Sequence, residues 1–326
     1  MTSRELIFKI IRELVVRVLG KPRDIEIDES RVMYFNEKAN DLIYQQISEA
    51  LGKGYGYALG KLGTVELACI VSYLYQQRWS FQDLMNFFRG YPIPLFYDKE
   101  ILRLNNNAGV FPATKETGDR FCNLMLQDIG VIDTLASYAW CERYITEYLL
   151  NCSTVNLDGY YAPFLYEKPW TSILKGRRIL VIHPFAESIK QQYKKRELLF
   201  ENPNVLPQFK SLRVVKAVQS IAGNNCGFSD WFSALEYMKK EMEKDEFDIA
   251  LIGCGAYGFP LTAHAKRLGK IGIHLAGWTQ MLFGIYGKRW IVDQPRYAKF
   301  INKSWIRPSI DEVPQNASKV EGGCYW

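Results

Sequence analysis

Phe247-Asp-Ile-Ala-Leu-Ile-Gly-Cys-Gly-Ala-Tyr-Gly-Phe-Pro-Leu-Thr-Ala-His-Ala-Lys-Arg-Leu-Gly-Lys-Ile-Gly-Ile273 is the stretch on which the fold turns. Apart from Asp248, Phe247 to Ile252 is wholly apolar, which predicts a short strand buried on both faces of a parallel sheet. Gly253, Gly255 and Gly258 follow with G-x-G-x-x-G spacing. Pro260 fits the first turn of a helix, where its missing N–H is not needed. Leu261 to Leu268 then reads as helix, with Lys266 and Arg267 in its last turn and Gly269 as the stop. Lys270 to Leu275 is the next apolar run. The unit is β-loop-α-β. Glycines let a ligand approach the backbone, and the N–H groups of a helix start favour phosphate, so Gly253, Gly255, Tyr257 and Gly258 are candidate phosphate-turn residues. The same glycines would also serve a tight turn with no ligand. The acidic residue expected about twenty positions on, for a dinucleotide ribose, is missing, which argues against an NAD-type site.

Two further junctions of this kind stand upstream. Tyr57 to Leu62 reads as a strand ending at Gly63, and Thr64 is a good cap for a helix from Val65 to Gln76. Lys61 precedes this junction and Glu66 lies in the first helical turn. A carboxylate there complements the helix dipole, or faces a shared cleft. Ile179 to Ile182 is the clearest strand of the chain and ends at His183-Pro184-Phe185. The basic helix after it, from Ala186 to Glu197, offers Ser188, Lys190 and Arg196 to an anion, or is simply a solvated face. Ligands bind beyond the carboxyl ends of strands in doubly wound sheets, so Gly63, His183 and Gly253 are predicted to converge on one cleft. Trp278 to Gly284 reads as a helix or turn beside it, with Gln280 as a sugar contact.

The 326 residues are 48% hydrophobic and 23% charged, which supplies ample core for an α/β fold of mostly parallel, Rossmann-like type with flanking helices. Net charge is +6, a mild excess that fits an anionic small ligand or membrane surface and argues against a nucleic-acid partner. Seven scattered cysteines without a C-x-x-C pair predict reduced thiols and a cytoplasmic protein. Cys254, inside the glycine turn, is a reactive thiol or merely a small residue in a tight loop. No apolar run reaches the length of about 18 residues needed to cross a bilayer, and no signal-peptide pattern is present.

Ser3 to Leu19 is an amphipathic helix, with Leu6, Ile7, Ile10, Ile11, Leu14, Val15, Val18 and Leu19 at helical spacing and Arg4, Lys9, Arg12, Arg17, Lys21 and Arg23 on the other face or flanking its end. It suits the surface of an anionic membrane, the protein's own core, or a homo-oligomer contact. Asp24 to Arg31 reads as a linker and Ser30 to Gly52 as a second helix. The expected division is a helical segment over 1–52, a catalytic domain over 53–292 and a packed tail over 293–326. Ala113 to Gly130 and Val131 to Trp140 both read as helical, and Ser229 as the cap of a helix from Asp230 to Lys244.

There is no G-x-S-x-G elbow, no H-E-x-x-H and no G-x-x-x-x-G-K-[ST]. Three histidines and no paired cysteines disfavour a zinc site. What remains suits a transferase acting on a phosphate-bearing molecule, with Glu66 or His183 deprotonating an acceptor hydroxyl. Ala58-Leu-Gly-Lys-Leu-Gly-Thr-Val-Glu66 resembles the Arg-Phe-Gly-Asp-Gly-Glu segment of glycosyltransferases with the GT-D fold. Ile182-His-Pro-Phe, Asp230-Trp-Phe, Leu251-Ile-Gly-Cys-Gly-Ala-Tyr-Gly and Gly277-Trp-Thr-Gln-Met-Leu-Phe-Gly resemble proteins associated with surface-polysaccharide synthesis. The resemblance spans roughly Tyr55 to Trp290. It implies transfer of a sugar from a nucleotide-diphosphate donor, a UDP-sugar, to a glycan or lipid-linked acceptor, at the inner face of a membrane. The family's Asp-x-Glu metal motif stands here as Thr64-Val65-Glu66. Manganese or magnesium held by Glu66 and the donor phosphates is one arrangement; neutralisation by Lys61, Lys190 or Arg196 without metal is the other. A non-catalytic nucleotide-binding or scaffold protein of the same assembly is the competing function.

Overall fold

The computed structural model describes residues 3–22, 37–78, 80–319 and 321–326. The linker expected from Asp24 to Arg31 lies outside them. Helices α1 (Ser3–Leu19) and α2 (Glu37–Lys53) lead into strand β1 (Tyr57–Gly60). Then come α3 (Thr64–Arg78), α4 (Phe81–Phe88), α5 (Tyr97–Ala108), α6 (Lys115–Ile129), β2 (Thr134–Ala136) and β3 (Ser153–Val155). The second half runs through α7 (Leu157–Tyr161), β4 (Arg178–His183), α8 (Ala186–Tyr193), β5 (Ser211–Lys216) and α9 (Trp231–Glu243). It closes with β6 (Ile249–Ile252), α10 (Gly258–Arg267), β7 (Ile271–His274) and α11 (Trp278–Leu282), followed by a tail of short 3-10 turns.

The seven strands form one sheet in the order β3-β2-β1-β7-β6-β4-β5, every pair parallel. Side chains alternate across a strand, so an all-apolar strand feeds two cores at once. Leu180 and Ile182 of β4, with Ala250 and Ile252 of β6, enter one core against α3, α5, α6, α9 and α10. Ile179, Val181, Ile249 and Leu251 enter the other, against α2, α11 and the tail. On β7 the alternate position is Gly272, where a β-carbon would lie 2.5 Å from the Thr262 carbonyl, so α10 rests directly on the strand.

α3 follows β1 into the first core, while α11 follows β7 into the second. The adjacent strands β1 and β7 therefore send their connections to opposite faces, and a crevice opens at their carboxyl ends.

Two sequence expectations change. Val131 to Trp140 is not helix: Thr134–Ala136 is β2, paired on both sides, because three buried residues complete the sheet beyond β1. α2 packs on the sheet, with Ile43, Ile47 and Ala50 fully buried in the second core. The α9 cap is Asp230, which accepts from Ser233 N at 2.6 Å, and not Ser229. Trp290 is fully buried, and Trp305 donates to the Leu199 carbonyl at 2.8 Å.

Candidate functional site

A pocket of about 580 Å³ occupies the crevice beyond β1, β4, β6 and β7. Glu66, His183 and Gly255, from three separate connections, all line it.

At the β1 junction Lys61, Leu62 and Gly63 link the strand to α3, and Gly63 C=O accepts the first helical bond, from Leu67 N at 2.9 Å. The Glu66 carboxylate folds back over Gly63, where a β-carbon would meet Oε2 at 2.0 Å. Glu66 thus complements the helix dipole and lines the pocket at once. Thr64 and Lys61 line it too. The Lys61 ammonium lies 5.0 Å over the Tyr138 ring and 3.4 Å from its hydroxyl, and that hydroxyl donates to the Leu62 carbonyl at 2.8 Å. Burial lowers the Lys61 pKa, but the neighbouring Tyr138, Tyr161, Tyr325 and Glu66 outweigh it, and the ammonium stays charged. Tyr138 is anchored from below by Glu142, which accepts from the N–H groups of Tyr138 and Ala139 at 3.2 and 3.1 Å and from the Ser137 hydroxyl.

Both pocket histidines are buried and neutral. His183 Nδ1 accepts from Phe185 N at 3.0 Å, so its proton sits on Nε2. His274 Nδ1 faces the Lys61 carbonyl at 3.3 Å; a carbonyl only accepts, so this ring carries its proton on Nδ1. Its Nε2 has no hydrogen-bond partner among the described residues. Burial lowers the pKa of His183 to about 3, and burial together with the Lys61 charge lowers that of His274 to about 3. At a pKa this low His183 is a poor base for an alcohol, and its Nε2–H is a donor in the pocket.

The same burial predicts a pH response. In the unfolded chain each ring titrates near 6.5, so below that pH the unfolded state takes up protons the native state refuses. Stability is fully present above about pH 6.5 and is lost as pH falls, at about 1.4 kcal/mol per pH unit per histidine. Urea unfolding at pH 5 is expected to give a free energy about 3–4 kcal/mol below that at pH 7. His274→Gln should halve this slope, and an unchanged slope would contradict the assignment.

The glycine turn divides its duties. Gly253, Gly255 and Tyr257 line the pocket. Gly255 has φ +58° with open space beside it, a backbone conformation that favours glycine. Gly258 is a packing glycine and not part of the ligand wall: a β-carbon there would lie 2.3 Å from His274 Nε2. Tyr257 stacks on Trp231 at 4.9 Å, and its hydroxyl pairs with Ser220 Oγ at 2.8 Å. Cys254 is buried and its thiol pKa is pushed up, so it is the small loop residue and not a reactive thiolate.

The β4 connection departs most from expectation. Ser188, Lys190 and Arg196 do not line the pocket. The start of α8 already holds an anion, the Glu312 carboxylate of the tail. It accepts from the N–H groups of Glu187 and Ser188 at 2.8 and 3.3 Å and from the Ser188 hydroxyl. Lys190 pairs with Glu187 at 2.7 Å; Arg196 pairs with Glu197 at 2.7 Å and lies over Tyr193. Charge-assisted bonds of this kind contribute about 1.5–3 kcal/mol. Glu312→Ala should therefore lower unfolding free energy by about that amount while leaving ligand affinity in the pocket unchanged. A large loss of nucleotide affinity would return α8 to the site.

Sequence reasoning missed the aromatic wall. Tyr161 stacks on Trp278 at 4.7 Å with planes 9° apart, and both line the pocket. Tyr325 and Trp326 join them from the tail, with Arg289 4.3 Å over the Tyr325 ring. Gln280 is buried and spends its Nε2 on the Tyr325 carbonyl at 3.1 Å, so it holds the tail as well as facing the pocket. Only the high aromatic content hinted at this wall, because no motif links position 325 to position 161.

A model of the GT-D fold-like domain matches residues 38–282. The chain belongs to the GT-D-like family. The match takes in α2 and every strand, and stops at the end of α11. No curated protein and no solved structure matches the chain. The family's metal motif finds a poor donor set here. Glu66 and Asp293 are the only acids among the pocket-lining residues, and no group of three metal-ligating side chains occurs among the described residues. The Lys61 ammonium, kept charged by Tyr138, Tyr161, Tyr325 and Glu66, further opposes a cation at that carboxylate. These residues do not fit a protein-held divalent site.

No described helix is long and apolar enough to cross a membrane.

Proposed function

We propose that this GT-D-like protein transfers a sugar from a nucleoside-diphosphate donor, a UDP-sugar, to a hydroxyl of a glycan or lipid-linked acceptor in surface glycoconjugate synthesis. The observation that carries the proposal is the pocket in which Lys61 and Glu66 face the glycine turn at the β1–β7 switch point. The turn at Gly253 and Gly255 and the Lys61 ammonium receive the diphosphate. The stacked faces of Tyr161 and Trp278 suit a flat base or a sugar. Glu66 takes the acceptor proton as the acceptor oxygen bonds to the anomeric carbon. The bond from that carbon to the phosphate oxygen breaks, and its electron pair leaves on the diphosphate, which Lys61 stabilises.

The test is a thermal-shift panel of nucleoside diphosphates with and without manganese, followed by transfer assays with the binding nucleotide's sugars. UDP at about 100 times its Kd is expected to raise Tm by about 3–6 °C. Transfer is expected to stay within about twofold on adding EDTA, since the donor set suits cationic side chains and not a metal. Thr64 in place of the family segment's aspartate favours the second reading, a nucleotide-binding scaffold. A scaffold binds UDP and turns over no donor.

A further inference from the structure

We propose that α1 is a membrane-docking helix whose outer face lies on an anionic lipid surface. The inference comes from the orientation of the helix and does not rest on the transfer reading.

α1 is mounted against the usual sense. Its inward side is Glu5, Phe8, Lys9, Arg12, Val15 and Val16, all half-buried. Phe8 packs edge-on to Phe88 at 5.3 Å, and Arg12 donates to the Gly90 carbonyl at 2.8 Å with its guanidinium over Phe87. Not one residue of α1 is fully buried. The outward side is aliphatic: Leu6, Ile7, Ile10, Ile11, Leu14 and Val18 are 46, 54, 47, 37, 57 and 81% exposed. At 100° per residue these six cover an arc of about 140°. An amphipathic helix serving only the fold would bury this stripe. Here the polar side faces the protein and the apolar side faces out.

Charge decides the occupant. The exposed charged residues of α1 and its end are Arg4, Arg17 and Lys21 against the single acid Glu13. A groove of about 890 Å³ between α1 and residues 90–100 adds Lys9, Arg12 and Lys99 to its lining against the one further acid Glu100. Arg17 falls inside the apolar arc, about 20° from its Leu6 edge. A second copy of the helix would bury that guanidinium, whereas on a bilayer its stem can rest on acyl chains with the charge at the headgroups. The arc is also broader than the narrow seam of a helix pair. Aliphatic area with a net excess of cations about it matches an interface of acyl chains and anionic headgroups.

The experiment is flotation of the full chain with vesicles of phosphatidylcholine containing about 30% phosphatidylglycerol, against pure phosphatidylcholine. Binding is expected to the anionic vesicles and to weaken with salt. The triple variant Ile7→Ser, Ile10→Ser, Leu14→Ser removes only exposed side chains and is expected to lower the partition coefficient on the order of 100-fold. Its UDP-induced thermal shift should match the parent's, so a failure of docking is separable from a failure of the nucleotide site. Equal flotation of parent and triple variant would overturn the proposal. So would a lipid-free dimer, seen by light scattering, that the triple variant returns to monomer, because the face would then belong to a second copy.

Discussion

Glu66→Gln is expected to reduce sugar transfer by at least about 100-fold while Tm moves by no more than about 3 °C. General-base catalysis contributes about 100- to 10,000-fold, and an amide cannot accept the acceptor proton. The carboxylate also complements the start of α3, which is worth about 0.3–1 kcal/mol at such a position and sets the modest stability cost. Glutamine keeps the shape that rests over Gly63, so donor affinity should persist. Lys61→Met should show the converse pattern, with weakened UDP binding as the first effect, because its ammonium lies in the same pocket and remains charged. Steady-state kinetics with both variants separate the roles. Near-parental turnover in Glu66→Gln would remove Glu66 from the chemistry. Near-parental donor affinity in Lys61→Met would remove Lys61 from the diphosphate.

Gly253→Ala should be the most damaging single-methyl change at the site. Its β-carbon would meet the Ala276 carbonyl and Thr279 Oγ1 at 2.4 Å and His183 Cδ2 at 2.8 Å. Two of these neighbours belong to the connection after β7, and the third is a buried ring, so none yields cheaply. Overpacking of this kind costs about 1–3 kcal/mol or somewhat more. The displaced connection carries Trp278, so UDP affinity should fall with stability. Gly255→Ala is the control: its surroundings are open and only the positive φ is strained, at about 1–2 kcal/mol. Urea midpoints and UDP binding for the pair test the ranking. A milder effect at 253 than at 255 would mean that the turn is held less tightly than the contacts indicate.

Much of the architecture was legible in local pattern. Four-residue apolar runs ending at glycine or histidine announced β1, β4, β6 and β7, because a strand covered on both faces has no polar alternation to obscure it. The short outer strand β2 was not legible. Thr134–Ala136 carries too few residues to show a period, and its pairing with β1 and β3 comes from elsewhere in the chain. Ser188 misled for a related reason. A helix start looks the same in sequence whether its N–H groups await a ligand or are satisfied by Glu312, which is 124 residues away.

The sequence by itself determined the strand-glycine-helix junctions that carry Lys61, Glu66 and Gly255, because these depend on neighbours a few positions apart. The tertiary structure alone decided which junctions share a pocket, that His183 and His274 are neutral, that Gly258 serves a ring and not a ligand, and that the tail supplies Tyr325 and Trp326. Desolvation, stacking and the filling of a helix end are properties of what the folded chain brings near from far along it, and local composition carries no record of them.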